Sequence, residues 1–345
     1  MGVGMADGAR RRGACIDWER AAMSREIAIR FLVSLFFAIV IGLAAGYQVL
    51  AVSRDYDNYS QFFNLVRSAP SYWGIQYRFE PGFTMVVYWL VNLNFTNWIV
   101  YSVIAGSIVF VKYFSLEFVE RYWHAVLVFT FYFLARYVLL FEMTVLRAAC
   151  ALALAFVVFY RKTESGIQIK DLIVLALAVL FHYSAVIFIF IYLIPPVTRL
   201  RIIIVSMAVF LVIILCKHIA LGYLPDYLSV FTTYEEFGKA TTFPIPLVVD
   251  MVFFLFAVHY FDEADLTMRY AIFGMAMCFA FHFSLLDYSL LAARFRELLS
   301  IFFLIYLVRA VFSDNERVIS GSMAYALLSG ALYFFVEFYY EPLLT

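Results

Sequence analysis

Long apolar runs separated by short polar breaks make up most of the chain. A helix needs about 20 apolar residues to cross a ~30 Å hydrocarbon layer, and several runs approach or exceed that length. They cover residues 27–51, 97–116, 122–140, 144–160, 201–221, 246–261, 269–286, 290–311 and 320–340. The pattern predicts an all-α polytopic membrane protein with about nine transmembrane helices.

Two further apolar segments are irregular. Residues 81–95 form a short run that opens with "EPGF", and residues 171–194 are interrupted midway by His182 and Tyr183. Broken backbone at membrane depth is tolerated only where protein or a watery cavity satisfies its polar groups. We therefore predict that both segments are re-entrant or broken and that they line a site.

Composition supports a lipid environment. The chain is 65% hydrophobic and only 14% charged, whereas roughly a quarter of the residues in a soluble domain are charged. The N-terminal arginines predict a cytoplasmic basic tail at residues 1–24, ahead of one transmembrane domain at 25–345. The formal net charge is zero, which gives no indication of a nucleic-acid partner. The four cysteines stand apart from one another, so the sequence predicts neither a metal site nor a cofactor.

Basic residues indicate the topology. If both irregular segments return to the side from which they started, the following residues lie on or near the cytoplasmic side, as the positive-inside rule favours: Arg121, Arg161, Lys162, Lys170, Arg199, Arg201, Arg269, Arg309 and Arg317. The opposite, outer face then collects the stretches "SRDYDNY", "YRFEPGF", "FEMTVLR", the loop 222–246 and "LLDYSLLAARFRE".

The stretch "SRDYDNY" carries the first candidate residues, Arg54, Asp55 and Tyr59. In a helix, Asp55 and Tyr59 are one turn apart and can address the same ligand. Neighbouring tyrosines are also typical of the aromatic belt at a membrane surface. Because a belt needs no carboxylate, we interpret Asp55 as a candidate catalytic base.

Glu80 precedes Pro81 and Gly82 at the predicted start of a helix. A carboxylate at that position either stabilises the helix N-terminus or takes part in chemistry. Arg78, two residues earlier, could hold Glu80 or an anionic substrate.

Arg147 lies near the start of an otherwise apolar helix. An arginine at membrane depth costs a few kcal/mol even on the mildest scale, so it requires a partner or a watery cavity. Glu142 is a candidate local partner, and snorkelling to the membrane surface is the simpler alternative. The fixed fork of donors on arginine also suits phosphate.

Two more groups complete the candidates. His182, beside Tyr183, is either a hydrogen-bonded packing residue or a catalytic one. Asp287, Arg294 and Arg296 lie on the predicted outer face, where extra arginines favour a bound anion, although Arg294 could simply pair with Glu297.

These motifs, taken in order, resemble a known family. The chain presents D-x-x-N-Y at Asp55, E-x-G-F at Glu80, an arginine entering a later helix at Arg147, F-H-Y-S-A around His182, and R-F at Arg294. This order resembles the Wzy-type polysaccharide polymerases of bacteria, specifically the EpsG family, over residues 30 to 310. Two positions depart from the family pattern: Ser53-Arg54 replaces Gly-x before the aspartate, and Ala148 replaces a glutamine after the arginine.

The resemblance implies a membrane glycosyltransferase of the bacterial inner membrane. It would join undecaprenyl-pyrophosphate-linked oligosaccharide repeat units on the periplasmic face. Its partners would be the lipid-linked oligosaccharide, the bilayer, and a chain-length regulator and flippase of the same pathway. In this interpretation Asp55, Glu80 and His182 are catalytic. The substrate-binding residues would be Arg54, Tyr59, Arg78, Glu142, Arg147, Tyr183, Asp287, Arg294 and Arg296.

Three other functions compete with this one. A flippase for lipid-linked oligosaccharides also needs aromatics and arginines, but it favours pseudo-symmetric halves, and the sequence shows no internal repeat. An O-antigen ligase differs only in its acceptor. A non-enzymatic scaffold of an export complex needs none of this chemistry.

The topology can be tested with reporter fusions. We expect a reporter fused after Lys162 to be cytoplasmic and one fused near Tyr234 to be periplasmic. The re-entrant segment 171–194 adds no crossing between these two positions, so the run 201–221 is the single crossing that separates them. Reporter activity in intact cells measures the side. Finding both reporters on the same side would contradict the re-entrant prediction.

Overall fold

The computed structural model describes residues 4–49, 53, 55–75, 79–117, 121–162, 166–194, 198–222, 244–261 and 265–336. These residues are almost entirely helical, and no β-strand occurs among them. The helices are α1 Gly4–Gly46, α2 Tyr56–Ser68, α3 Pro81–Asn92, α4 Asn97–Phe114, α5 Tyr122–Arg136, α6 Leu146–Tyr160, α7 Ile169–Phe181, α8 Val186–Leu193, α9 Arg199–Gly222, α10 Ile245–Tyr260, α11 Leu266–Ser284, α12 Ser289–Leu299, α13 Ile301–Ala310 and α14 Glu316–Phe335.

Five of these helices are long and apolar enough to cross a membrane. They are the segment Ser24–Gly46 of α1, then α4, the segment Arg199–Lys217 of α9, α11 and α14. Helices α6 and α10 are apolar but shorter. The all-helical prediction is confirmed, whereas the count of about nine crossings is not. One predicted run, 290–311, is in fact broken at Ser300 into α12 and α13.

Helices α1 and α4 pack antiparallel at very close range. Small residues allow this, because a Cβ added at Gly42 would lie 2.7 Å from the Ser102 carbonyl oxygen and 2.9 Å from the Gly106 Cα. At one end of the pair, Gly46 meets the backbone of Trp98, and at the other Arg30 donates to the Phe114 carbonyl. Lipid supplies no hydrophobic force between helices, so close van der Waals packing at small residues holds such pairs together.

Residues 171–194 form a helical hairpin. Helix α7 ends at Phe181, His182 has an extended backbone, and a short 3₁₀ turn, Tyr183–Ala185, leads into α8. The far end of α8 returns to the start of α7, where the Tyr192 hydroxyl donates to Asp171 at 2.7 Å and lies 2.7 Å from the Lys162 ammonium. The predicted break is therefore present, and both ends of the segment meet at one side of the bundle.

The predicted cytoplasmic residues converge at that same end. Arg161 donates to the carbonyls of Ser115 and Phe114. Arg309 pairs with Glu117 at 3.0 Å and with Asp265 at 2.5 Å. Arg121 and Arg199 likewise bond to backbone carbonyls at helix ends, those of Val311 and Ser313 and those of His259 and Phe261. We call this group the basic end of the bundle, and the other end, which contains Asp55 and Arg147, the site end.

Several helices have apolar faces that no other described part of the protein covers. The outer surfaces of α1, α9 and α10 present large side chains such as Leu32, Leu215 and Leu255, each more than 60% exposed. A soluble monomer rarely exposes contiguous apolar surface of this kind. The faces are the ones that lipid would cover.

The close approach of α1 and α4 generates a stability prediction. We expect Gly42→Ala to lower the melting temperature in detergent, since the new Cβ meets backbone that cannot rotate away; overpacking costs about 1–3 kcal/mol. Helix propensity alone predicts the opposite sign, a gain of up to about 1 kcal/mol.

The matched control is Gly74→Ala. A Cβ there has its nearest neighbour at 3.7 Å, so we expect little change. If Gly42→Ala melted at or above the wild-type temperature, the small-residue contact would not be the constraint described above.

Candidate functional site

Three charged or titratable side chains from distant segments meet at the site end. One carboxylate oxygen of Glu80 accepts from the Arg147 guanidinium, and the other lies 3.1 Å from Nδ1 of His182. These residues are separated by 67 and 102 positions along the chain. The sequence singled out all three, and the structure brings them into one cluster.

Local breaks in helical structure place each of these side chains. Glu80 precedes Pro81, which begins α3 without needing a backbone N–H donor. The Glu80 side chain makes no hydrogen bond to the helix N-terminus, so capping does not explain it. His182 occupies the break between α7 and the following 3₁₀ turn. Arg147 is in the first turn of α6.

The cluster is partly shielded from solvent. The Glu80 side chain is 4% exposed, that of His182 15% and that of Arg147 21%. Glu80 lies in the linker before α3, where burial by itself raises the pKa of its carboxyl. The His182 hydrogen bond and the charge of Arg147 together outweigh that effect and bring the pKa below its ordinary value. Glu80 is therefore ionised, and since a carboxylate is an acceptor only, Nδ1 of His182 carries the proton.

This tautomer has a chemical consequence. When Nδ1 of a neutral imidazole donates to a carboxylate, Nε2 is left as the acceptor, which is the arrangement of an oriented general base. Arg147 also has one donor that is not used. Its Nε is buried and has no hydrogen-bond partner among the described residues, and its guanidinium carbon lies 4.1 Å from the centre of the Phe79 ring. The arrangement can hold an anion beside a proton acceptor.

Helix α2 packs against this cluster. The Tyr59 hydroxyl accepts from the backbone N–H of Arg147 at 3.4 Å, and the Tyr59 ring is fully buried. Asp55 lies one turn earlier, and its carbonyl oxygen accepts from the Tyr59 N–H at 3.0 Å. The Asp55 carboxylate does not cap α2 but accepts from Asn58 at 3.3 Å. Asp55 is partly exposed, as a residue that meets a substrate must be.

Glu142 is not the partner of Arg147, and that prediction is wrong. Its carboxylate pairs with Lys112 at 2.5 Å, and both side chains are fully buried. A π-helical turn, Val138–Glu142, orients Glu142 towards α4 instead of towards the start of α6. Proximity in sequence suggested the wrong partner because the extra residue in a π turn rotates the side chains that follow.

The remaining candidates divide into three groups. Asp287, which is 60% exposed, pairs with Lys217 of α9, while Arg294 and Arg296 lie on α12. The described contacts of these three residues do not include Glu80, Arg147 or His182. Tyr183 follows His182 directly and is 59% exposed. Arg54, Arg78 and most of the loop 222–246 lie outside the described residues.

Sequence reasoning missed one buried polar group, formed by Arg136 and Asp250. The Arg136 Nη2 donates to Asp250 at 2.9 Å, and the hydroxyls of Tyr325 and Tyr333 donate to the same carboxylate at 2.6 and 3.0 Å. Both charged side chains are less than 5% exposed. An aspartate inside the apolar run 246–261 was the available signal, because an intramembrane carboxylate needs a partner.

A model of the EpsG family matches residues 30–343, which is nearly the whole chain. The chain belongs to the EpsG family. This is a Wzy-type polymerase-like family, so the protein is a multi-pass membrane protein with a polysaccharide-polymerase-like function. No curated protein and no solved structure matches the chain. Among the described residues, no group of three or more histidine, cysteine, aspartate or glutamate side chains is placed to hold a metal ion.

The cluster generates a prediction about energetic coupling. We expect Glu80→Gln and Arg147→Gln each to destabilise the protein by about 3 kcal/mol, because each leaves a shielded charge without its partner. The double variant should cost clearly less than both singles together. Thermal unfolding in detergent provides the measurement.

The Lys217–Asp287 pair is the control for this cycle. Asp287 is 60% exposed, and Lys217 keeps a second bond, to the Ser284 carbonyl at 3.2 Å, so Asp287→Asn should cost clearly less than either Glu80→Gln or Arg147→Gln. Strictly additive effects of Glu80→Gln and Arg147→Gln would contradict the ion pair.

Proposed function

We propose that this protein polymerises undecaprenyl-pyrophosphate-linked oligosaccharide repeat units by glycosyl transfer on the periplasmic face of the bacterial inner membrane. One observation carries the proposal: Arg147, Glu80 and His182 meet in a partly shielded cluster at the site end. Family membership supports a polymerase, and the cluster supplies what such a reaction requires, a cation for the leaving group and a base for the nucleophile.

Arg147 would hold the departing pyrophosphate. In the reaction the bond between the anomeric carbon and the pyrophosphate oxygen breaks, and negative charge develops on that oxygen. A fixed guanidinium in a site shielded from water stabilises such charge without reorganisation. Its side chain is 21% exposed, so a phosphate can approach the guanidinium, whose planar fork suits two oxygens at once.

His182 would act as the base. A sugar hydroxyl of the second lipid-linked unit attacks the anomeric carbon, and its proton passes to Nε2 of His182. Glu80 holds the imidazole through Nδ1 at 3.1 Å and stabilises the imidazolium that forms. Transfer of this kind contributes about 10²–10⁴-fold to a rate.

Asp55 is the second candidate for the base. It lies one helical turn from Tyr59, whose hydroxyl meets the backbone of Arg147, and neither capping nor burial occupies its carboxylate. We assign the base to His182 because both its orientation and its tautomer are fixed by Glu80, whereas the side chain of Asp55 has only one long hydrogen bond, from Asn58.

The proposal is tested with purified protein and lipid-linked repeat units in detergent. We expect longer glycans to form without any second compartment, which a flippase cannot achieve. His182→Gln should lower the rate by about 10²–10⁴-fold while substrate still binds. Asp55→Asn should have a much smaller effect, and Asp57→Asn, two residues away on the exposed face of α2, none.

The glycan ladder on a gel measures these outcomes. A normal ladder from His182→Gln together with a failed ladder from Asp55→Asn would transfer the role of base to Asp55. No lengthening by the wild-type protein would overturn the polymerase itself.

A further inference from the structure

A polar cleft lies on the flank of α2, outside the Arg147 cluster. It has a volume of about 450 Å³ between α2 and the turn that connects α3 to α4, and it is open to the surface. Small-molecule sites range from about 300 to 1,000 Å³, so one or two sugar rings fit. We propose that this cleft is a saccharide subsite that binds a ring of the glycan during polymerisation, an inference that rests on the proposed function.

The lining has the chemistry that recognises sugars. Tyr56, Phe95 and Trp98 contribute aromatic surface, on which the apolar C–H face of a pyranose can pack. Ser60 and Asn94 contribute a hydroxyl and an amide, and neither side chain bonds to another described residue. These groups can both donate and accept, which matches the dual character of sugar hydroxyls.

The cleft is pre-formed by hydrogen bonds across its base. Arg67 donates to Asn97 Oδ1 at 3.1 Å and to the Phe95 carbonyl at 2.9 Å. Asn97 in turn donates to the Ser60 carbonyl at 3.4 Å. These contacts tie α2 to the α3–α4 turn and fix the width of the cleft before any ligand arrives, which reduces the entropy cost of binding.

The same contacts argue against other ligands. Arg67 is the only cation among the described residues of the lining, and both of its terminal nitrogens already donate to neutral oxygens, those of Asn64, Phe95 and Asn97. A phosphate headgroup that used both of these nitrogens would compete with the existing bonds. An acyl chain would bury the Asn94 amide, which bonds to no other described residue, without a hydrogen-bond partner, and that is unfavourable. An uncharged, hydroxyl-rich ring needs neither change.

Three tyrosine rings in contact connect the cleft to the reaction cluster. The Tyr56 ring lies 5.5 Å from that of Tyr101, which lies 5.7 Å from that of Tyr59. The Tyr59 hydroxyl then meets the backbone of Arg147. The cleft therefore lies beside the same helix that contacts the start of α6, and a glycan with one ring in the cleft would extend along α2 towards the pyrophosphate site. The cleft would hold the chain in register for transfer.

Ser60→Trp tests this by filling the cleft, and Gln61→Trp is the matched control. Gln61 is the next residue on α2 and is exposed but does not line the cleft. The probe is the free repeat-unit oligosaccharide, released from its lipid by mild acid and labelled. We expect equilibrium dialysis to show binding to the wild type and to Gln61→Trp, and a loss of about tenfold or more in affinity for Ser60→Trp, the loss of roughly one good contact.

Asn94→Gly is a milder second variant. Asn94 has a φ of 61°, in the left-handed region that glycine adopts without strain, so the backbone is retained while the amide is lost. In the elongation assay its half-saturating concentration of lipid-linked unit should rise about fivefold, the value of one hydrogen bond, with the maximal rate unchanged.

The two proposals fail differently. If the wild type lengthens no glycan yet binds the free oligosaccharide in a way that Ser60→Trp abolishes, the polymerase is wrong and the subsite stands. If the wild type lengthens glycans while Ser60→Trp and Asn94→Gly bind and saturate as the wild type does, the subsite is overturned.

Discussion

The ion pair between Arg147 and Glu80 is the constraint on which the site end depends. A guanidinium that cannot reach bulk water freely must have a carboxylate or a bound anion within contact. That requirement brings the start of α3 to the first turn of α6. Glu80 has a second carboxylate oxygen, and the break between α7 and α8 brings His182 to it at 3.1 Å. One charge pair therefore determines the positions of three chain segments.

The irregular backbone around the pair is stabilised by side chains. Between α5 and α6 the chain passes through a π turn and a short non-helical stretch, where carbonyl groups lose their helical partners. The Tyr101 hydroxyl donates to the Met143 carbonyl at 2.7 Å, and the Thr144 hydroxyl donates to that of Leu139 at 2.8 Å. Such satisfaction is what permits non-helical backbone inside a membrane protein. The buried tyrosines of this chain thus support the backbone as much as they fill the core.

The sequence predicts the members of the site better than their pairings. Glu80, Arg147 and His182 stood out because polar groups are rare in apolar runs, and rarity is visible without a structure. The break of residues 171–194 at His182 was visible for the same reason. The partner of Glu142 was not, because Lys112 lies 30 residues earlier and no local rule relates the two. The break of the run 290–311 at Ser300 was hidden as well. The Tyr137 hydroxyl donates to the Ser300 carbonyl at 2.7 Å, a long-range contact that no local pattern reveals.

Burial separates the charges that hold the fold from those that can meet a substrate. Lys112 and Glu142 are sealed from solvent, and Arg136 is nearly so, with the Asp250 carboxylate that it contacts saturated by two tyrosine hydroxyls. A ligand could reach such groups only by breaking partners that no water would replace, at a cost of several kcal/mol. Arg147 differs on both counts, because its side chain is 21% exposed and its Nε has no partner among the described residues. Of these three buried cations, it is therefore the one that an incoming phosphate could bind without first dismantling the fold.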